Sequence, residues 1–303
     1  MAERVETGTV AGIQPVAPAL RLVTLQAPAI AAQARPGQFI LIRCADPAYP
    51  VFDPYLPRAF FVFAADRAGG RLSLLVAPRG RGSAWLAGRR DGDRVLVYGP
   101  SGREVAPARL TRHLLLLADG AVAVAGLALL ASEAATRGLA VSLVENVPAP
   151  EGGVPPELLR ADVEYRATTP DGGGLLGALP GLLPWADEVV IAAPWPLLET
   201  VAAWRGARLG PFTLHAALPV QALPLPDFLA SAVADTSRYG APGAPAPASG
   251  GDYVPCGTGM CGVCVVPARG GPRLFCRDGP AFALEALRFD AEPETPGAAA
   301  DEP

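Results

Sequence analysis

Residues 255–280 read PCGTGMCGVCVVPARGGPRLFCRDGP and hold four of the chain's five cysteines. Cys256, Cys261, Cys264 and Cys276 form the pattern C-x4-C-x2-C-x11-C. A structural zinc site usually shows two short cysteine pairs placed symmetrically, often with a histidine. Here three cysteines crowd one loop and the fourth follows from a later strand or turn. That asymmetry matches the plant-type [2Fe–2S] arrangement, in which thiolates hold both irons. Gly257, Gly259 and Gly262 add a physical reason, because a loop wrapped around a cluster brings its backbone close, often at positive φ. Its N–H groups can then point at the sulfurs and tune the potential. Zinc and an inert site stay as the alternatives.

The rest of the chain says what such a cluster would be connected to. With 303 residues and 50% apolar content, it is long enough for two or three domains with proper cores and needs no disulfide staples. The net charge of −4 gives no support to nucleic-acid binding, which wants a basic surplus. No stretch approaches the roughly 18 continuous apolar residues of a membrane span. The N-terminus, MAERVETGTVAG, is charged and mixed, with no apolar signal core behind it. A cytoplasmic, reduced protein is the expectation, which argues against a disulfide cluster. Lone Cys44, in FILIRCADP, reads as a small buried hydrophobe of a strand.

Residues 1–105 read as an antiparallel β-barrel. Short runs such as QFILIRC, FFVFAA, LSLLVA and RVLVYGP are each bounded by Gly, Pro or Asp. Residues 106–235 alternate strand and helix, from RHLLLLAD through GLALLASEAATRG to LAVSLVEN and EVVIAAP, as in a small parallel α/β domain. Gly138 is placed as the C-cap of the first helix. Residues 236–252, rich in Pro and Gly, read as a tether; 253–290 as the cluster module, with a short helix or turn in PAFALEALRF; and 291–303 as a disordered tail.

With these parts in order, the chain resembles the electron-transfer subunit of the two-subunit, NAD-linked dihydroorotate dehydrogenases of pyrimidine biosynthesis, in the ferredoxin–NADP reductase superfamily. The resemblance is carried by CGTGMC and by Cys276-Arg277-Asp278-Gly279-Pro280-Ala281-Phe282, and covers roughly residues 5–290. It implies a multidomain β plus α/β fold: an FAD-binding barrel, a nucleotide-binding-like domain and a [2Fe–2S] module whose ligands are the four clustered cysteines. It also implies a hetero-oligomer with a catalytic, FMN-containing oxidoreductase subunit, to which the substrate chemistry belongs.

The same resemblance assigns FAD contacts. PRAFFVF supplies Arg58, Ala59, Phe60 and Phe61, with Arg58 expected at the flavin pyrophosphate as a guanidinium fork. Phe61 departs from the family, which has a hydroxyl there. Leu75, Val76 and Ala77 lie on the strand the family lays along the flavin. Gly80-Arg81-Gly82-Ser83 follows as the turn over the pyrophosphate, Gly82 for close backbone approach and Ser83 for its hydroxyl. YGPSG at 98–102 matches the barrel's closing turn.

The nicotinamide half fits less well. A dinucleotide turn needs glycines so that phosphates can approach the backbone and a helix N-terminus. Here the turn is Ala118-Asp119-Gly120-Ala121-Val122, and the later strand end is Ala192-Ala193-Pro194. NAD(P) binding is therefore expected to be weakened or lost, although TPDGGG at 169–174 resembles a family turn. His113 and His215 read as structural or surface groups, and Asp278 as the cap of a turn. Two other readings stay open: a stand-alone NAD(P)H-dependent reductase, and a non-enzymatic assembly or regulatory subunit that keeps the fold without FAD.

Overall fold

The computed structural model describes residues 4–46, 56–147, 152–208, 213–217, 256–262 and 264–289. The expected tether and the C-terminal tail lie outside these residues, as does nearly all of the stretch between Leu214 and Tyr253.

The N-terminal part forms seven strands: β1 (Arg4–Ala17), β2 (Leu20–Gln26), β3 (Phe39–Arg43), β4 (Arg58–Phe61), β5 (Ala64–Asp66), β6 (Arg71–Val76) and β7 (Arg94–Ser101). Two short helices interrupt them, α1 (Pro28–Ala31) and α2 (Arg81–Ala87). The sheet is antiparallel, in the order β4-β3-β7-β1-β2-β6-β5. Its two outer strands are consecutive in sequence, separated only by Val62 and Phe63. In this short link Phe63 N–H donates to the Ser73 carbonyl of β6 at 2.9 Å. A continuous ladder joining β4 to β6 is not among the described pairings.

The apolar runs look continuous because both faces of this sheet are covered. In β3, Ile40 and Ile42 join one core with Leu72, Leu74 and Val76 of β6 and Val95 and Val97 of β7. The alternate residues Phe39 and Leu41, with Phe61 and Leu75, belong to a second core shared with the rest of the molecule. Cys44 is fully buried just past β3, as expected.

The second sheet is built from β8 (His113–Asp119), β9 (Ala140–Asn146), β10 (Val163–Thr168), β11 (Glu188–Ala192) and β12 (Thr213–Ala217), linked by α3 (Ala121–Thr136), α4 (Gly174–Leu182) and α5 (Trp195–Arg208). These five strands are parallel, in the order β10-β9-β8-β11-β12. Helix α3 starts before the GLALLASEAATRG run because Gly120, at φ +84°, is its N-cap; Gly138, at φ +85°, turns the chain just past its end. Most of the residues of α3 are buried, because it is covered by the parallel sheet on one side and by β4, β5 and β6 on the other.

The cysteine segment folds into a hairpin, β13 (Val265–Val266) with β14 (Arg273–Leu274), then a helical turn, α6 (Phe275–Asp278), and β15 (Ala281–Ala283). Strand β15 pairs antiparallel with β12 as the sixth strand of the second sheet. PAFALEALRF is thus a strand followed by a 3-10 turn at Leu284–Ala286, where a helix or turn was expected. Among the described residues the cysteine segment does not stand apart; its end is woven into the α/β sheet.

Candidate functional site

The long gap between Cys264 and Cys276 is closed by the β13–β14 hairpin. Cys264 precedes one strand and Cys276 follows the other, and Phe275 N–H donates to the Cys264 carbonyl at 2.8 Å. The two sulfurs come to 3.3 Å of each other in a buried position, with Cys276 N–H directed at the Cys264 sulfur at 3.5 Å. Cys256 is half-buried and Cys261 exposed on the preceding loop. That loop turns on Gly257, Gly259 and Gly262, at φ +71°, +85° and +65°. Side chains are disfavoured at such angles, so the expected left-handed glycine cradle is present.

The thiols are not equivalent. Burial pushes Cys256 up, but hydrogen bonds from Thr258 and Cys261 outweigh it and bring it down to about 6. Cys264 is lowered by its bond to the Cys276 thiol, against the effect of burial, and Cys276 is raised by the same bond and by burial. Thiolate character, which metal binding requires, is thus already favoured at Cys256 and Cys264. Among the described residues no three Cys, His, Asp or Glu side chains converge closely enough to enclose an ion. The donor set is four soft thiols, a chemistry that suits an iron–sulfur cluster or zinc rather than a hard cation.

The far end of this segment is fastened to the first sheet. Gly102 N–H donates to the Cys276 carbonyl at 3.0 Å, and Arg103 N–H to the Gly279 carbonyl at 2.6 Å. Phe275, next to Cys276, lies 5.3 Å from the ring of Phe39 and 6.5 Å from that of Phe61. Asp278 accepts from Leu274 N–H at 2.9 Å and pairs with Arg277, so it caps its turn as expected. The sequence singled out Gly102 only as the end of the YGPSG turn; its bond to Cys276, like the Phe39–Phe275 contact, had no separate signal because each joins segments far apart along the chain.

The residues expected to meet a flavin fall into four groups. Arg58 and Gly82 are brought together: a Cβ on Gly82 would stand 2.5 Å from Cγ of Arg58 and 3.3 Å from the Cys44 sulfur. Arg58 also donates to the Leu56 carbonyl at 2.8 Å. Ser83 is already engaged, since its hydroxyl accepts from Gly80 N–H and donates to the Gly80 carbonyl, closing the first turn of α2. Ala59, Phe61, Leu75 and Ala77 all border the core shared with α3, whereas Phe60 and Val76 pack into the inner core of the sheet. The Phe61 ring lies against Phe39, Phe275 and the bare Gly126 of α3, so the missing hydroxyl is replaced by a packing contact.

At the carboxyl ends of β8 and β9, Asp119 and Asn146 are register partners, and Asn146 Nδ2 donates to Asp119 Oδ1 at 2.6 Å. Gly120 N–H donates to the Asn146 carbonyl at 2.9 Å. Glu145 is fully buried, and its Oε2 accepts from the Tyr165 hydroxyl at 2.6 Å and from Val154 N–H at 2.9 Å. Burial holds the Glu145 carboxyl above its ordinary range, against both hydrogen bonds. His113 sits at the opposite end of the sheet, beside Asp187 and stacked on Trp185, and takes no part in either site. The His215 side chain lies outside what is described.

Comparison with known proteins now has a structure to be read on. The family described as the iron-sulfur cluster binding domain of dihydroorotate dehydrogenase B matches residues 252–288. The dihydroorotate dehydrogenase B (NAD(+)) electron transfer subunit of Desulforamulus reducens is 37% identical over 94 residues, which is 31% of this chain and 34% of that protein. Its counterpart in Geobacillus thermodenitrificans is 34% identical over 123 residues, 39% of this chain and 45% of the relative. The chain therefore spans less than half of these two relatives. The Bacillus caldolyticus subunit is matched over 91% of this chain and 96% of its own length, at 26% identity. Among solved structures, an NADH-dependent reduced ferredoxin–NADP oxidoreductase superposes with a TM-score of 0.70 at 20% identity, covering 94% of this chain and 91% of the other. A ferredoxin reductase of carbazole 1,9a-dioxygenase gives 0.56 at 21% identity, covering 72% and 68%. The structures establish the fold alone. The sequence matches make the chain similar to the iron-sulfur cluster binding domain of dihydroorotate dehydrogenase B over its cysteine hairpin and, at 26% identity, to a dihydroorotate dehydrogenase B electron transfer subunit over most of its length.

Proposed function

We propose that the chain is an electron-transfer subunit that exchanges electrons between an FAD held on its N-terminal sheet and a partner oxidoreductase, by way of a [2Fe–2S] cluster on residues 253–290. The observation that carries this reading is the junction of Phe39, Phe61 and Phe275, with the Gly102–Cys276 hydrogen bond. It packs β4, which carries the Arg58–Phe61 stretch expected at the flavin, against the turn bearing the last cysteine, and this supports an electron path between the two.

In this reading residues 1–105 form a flavin-binding barrel and 106–235 the nucleotide-binding-like domain. When bound, FAD supplies conversion between two-electron and one-electron transfer, and the cluster supplies the one-electron relay. Cys256, Cys261, Cys264 and Cys276 would hold the irons, and the Cys276 N–H, directed at the Cys264 sulfur, would donate to a ligand sulfur. Arg58 would meet the flavin pyrophosphate as a fork, and the missing side chain of Gly82 leaves the space in which the Arg58 side chain packs. Because its hydroxyl is engaged at Gly80, Ser83 serves to shape that turn. Leu75 and Ala77 present apolar surface towards α3, with Ala59 from β4. Substrate chemistry belongs to a dihydroorotate dehydrogenase-like catalytic subunit; the relatives carry the name of an electron transfer subunit.

Two variants test the assignments independently. Arg58→Ala removes a charge-assisted contact worth about 1.5–3 kcal/mol, so FAD affinity should fall about 10- to 100-fold with iron content unchanged. Cys264→Ser should abolish the cluster while leaving FAD bound. Full flavin in the first variant, or full iron in the second, sinks the corresponding assignment.

A further inference from the structure

We propose that the crevice at the carboxyl ends of the parallel strands is closed to pyridine dinucleotides by the chain's own residues, Asp119 and Glu145. In an open α/β sheet a dinucleotide binds outside the carboxyl ends of the strands, with its pyrophosphate on the turn that opens the first helix. An acidic residue roughly 20 positions on receives the ribose hydroxyls. Both requirements can be examined at named atoms.

The phosphate position comes first. The turn runs from Asp119 through Gly120, the N-cap of the 16-residue helix α3. A phosphate arriving there meets the Asp119 carboxylate, one residue before the cap. That carboxylate is held at the end of β8 by Asn146, 2.6 Å away on β9, and the turn itself is tied to β9 through Gly120 N–H and the Asn146 carbonyl. The bridge thus joins the last residues of two adjacent strands, where a bound dinucleotide would have to cross. At an effective dielectric of about 20, as near a protein surface, two like charges about 4 Å apart repel strongly enough to cost more than one decade of affinity.

The ribose position is closed by a different arrangement. Glu145 is the acidic residue that follows the turn at the end of β9. It is fully buried, with Oε2 occupied by Tyr165 and Val154. A Cβ at Gly153 would stand 3.1 Å from the Tyr165 hydroxyl and 3.4 Å from Glu145 Oε2, so the covering loop lies directly on the pair. No ribose hydroxyl can reach this carboxylate without displacing Gly153 and Tyr165. The superfamily fold persists while its dinucleotide site is filled from within, and the residues present do not fit NAD(P).

This rests on the electron-transfer reading only for its consequence, that electrons are exchanged with redox proteins rather than nicotinamide. The test is calorimetric titration of the purified full-length chain with NADH and, separately, NADPH. No saturable binding is expected up to about 2 mM. Asp119→Gly should raise NADH affinity about tenfold or more, into the measurable range, and Asp119→Asn is expected to act in the same direction should the glycine variant not fold. Saturable binding by the unaltered chain below about 2 mM overturns the inference. So does a folded Asp119 variant whose affinity does not rise. The titration needs no flavin, so a chain isolated without FAD fails the earlier reading alone, while tight NADH binding fails this one alone.

Discussion

Gly102 has φ +87°, and a Cβ there would stand 3.2 Å from both the Gly279 carbonyl oxygen and Cδ of Pro280. Strain and crowding act together at the point where the cysteine segment meets the first sheet. Gly102→Ala is expected to cost about 1–3 kcal/mol in thermal unfolding and to lower iron content, since it pushes the Cys276 turn away. Unchanged iron and stability would mean that this contact does not position the cluster segment. Tyr165 offers a second test. Because Glu145 is raised above its unfolded value near 4.5, the folded state keeps its proton longer, and stability falls as pH rises from that value through the folded pKa. The Tyr165 hydroxyl limits this fall by stabilising the carboxylate. Tyr165→Phe should therefore destabilise by about 1–3 kcal/mol at pH near 8 and by clearly less at pH near 5, read from denaturant midpoints at the two pH values. A loss equal at both pH values contradicts the charged pairing. Of these residues, the cysteines and cradle glycines were legible in the sequence because their spacing is local. Tyr165 and Val154 were not, and Gly102 was legible only as the end of the YGPSG turn, because each acts on a group reached only by folding.

Helix α3 shows what an element adds. It lies between two sheets, and its Gly126 faces the ring of Phe61. A Cβ at Gly126 would be 3.5 Å from that ring, an ordinary contact, so Gly126→Ala should gain up to about 1 kcal/mol from helix propensity and raise the melting temperature. Gly126→Leu must displace Phe61 and is expected to cost about 1–3 kcal/mol by overpacking. If alanine destabilises as much as leucine, α3 and β4 do not pack as described. The sequence showed that these elements exist, through apolar runs punctuated by Gly and Pro. It did not show their partners. Strand β15 is three residues long, and its place beside β12 depends on a pairing that no local pattern encodes. The LLLL run of β8 suits a strand covered on both faces, and both α3 and α4 pack against it.

At the scale of the whole molecule, the first sheet, α3 and the cysteine segment share one core through Phe39, Phe61, Gly126 and Phe275. The resemblance in sequence anticipated three parts in this order; that the third would be both pinned to the first and paired into the second was not legible, because those contacts join Cys276 to Gly102 and Ala283 to His215. Phe61 illustrates the difference. As a letter it was a lost hydroxyl; in the fold it is the packing contact between the three parts. Among the described residues no helix is long and apolar enough to cross a membrane. The central claim, a flavin and a cluster on one chain, is tested most directly by anaerobic purification of the full-length protein, with iron, acid-labile sulfide, zinc and flavin measured on the same sample as the visible spectrum. The account predicts about two irons, about two sulfides and about one FAD per chain, with the absorption of both an oxidised [2Fe–2S] centre and a flavin. Zinc in place of iron, or a chain that takes up no flavin, would contradict it.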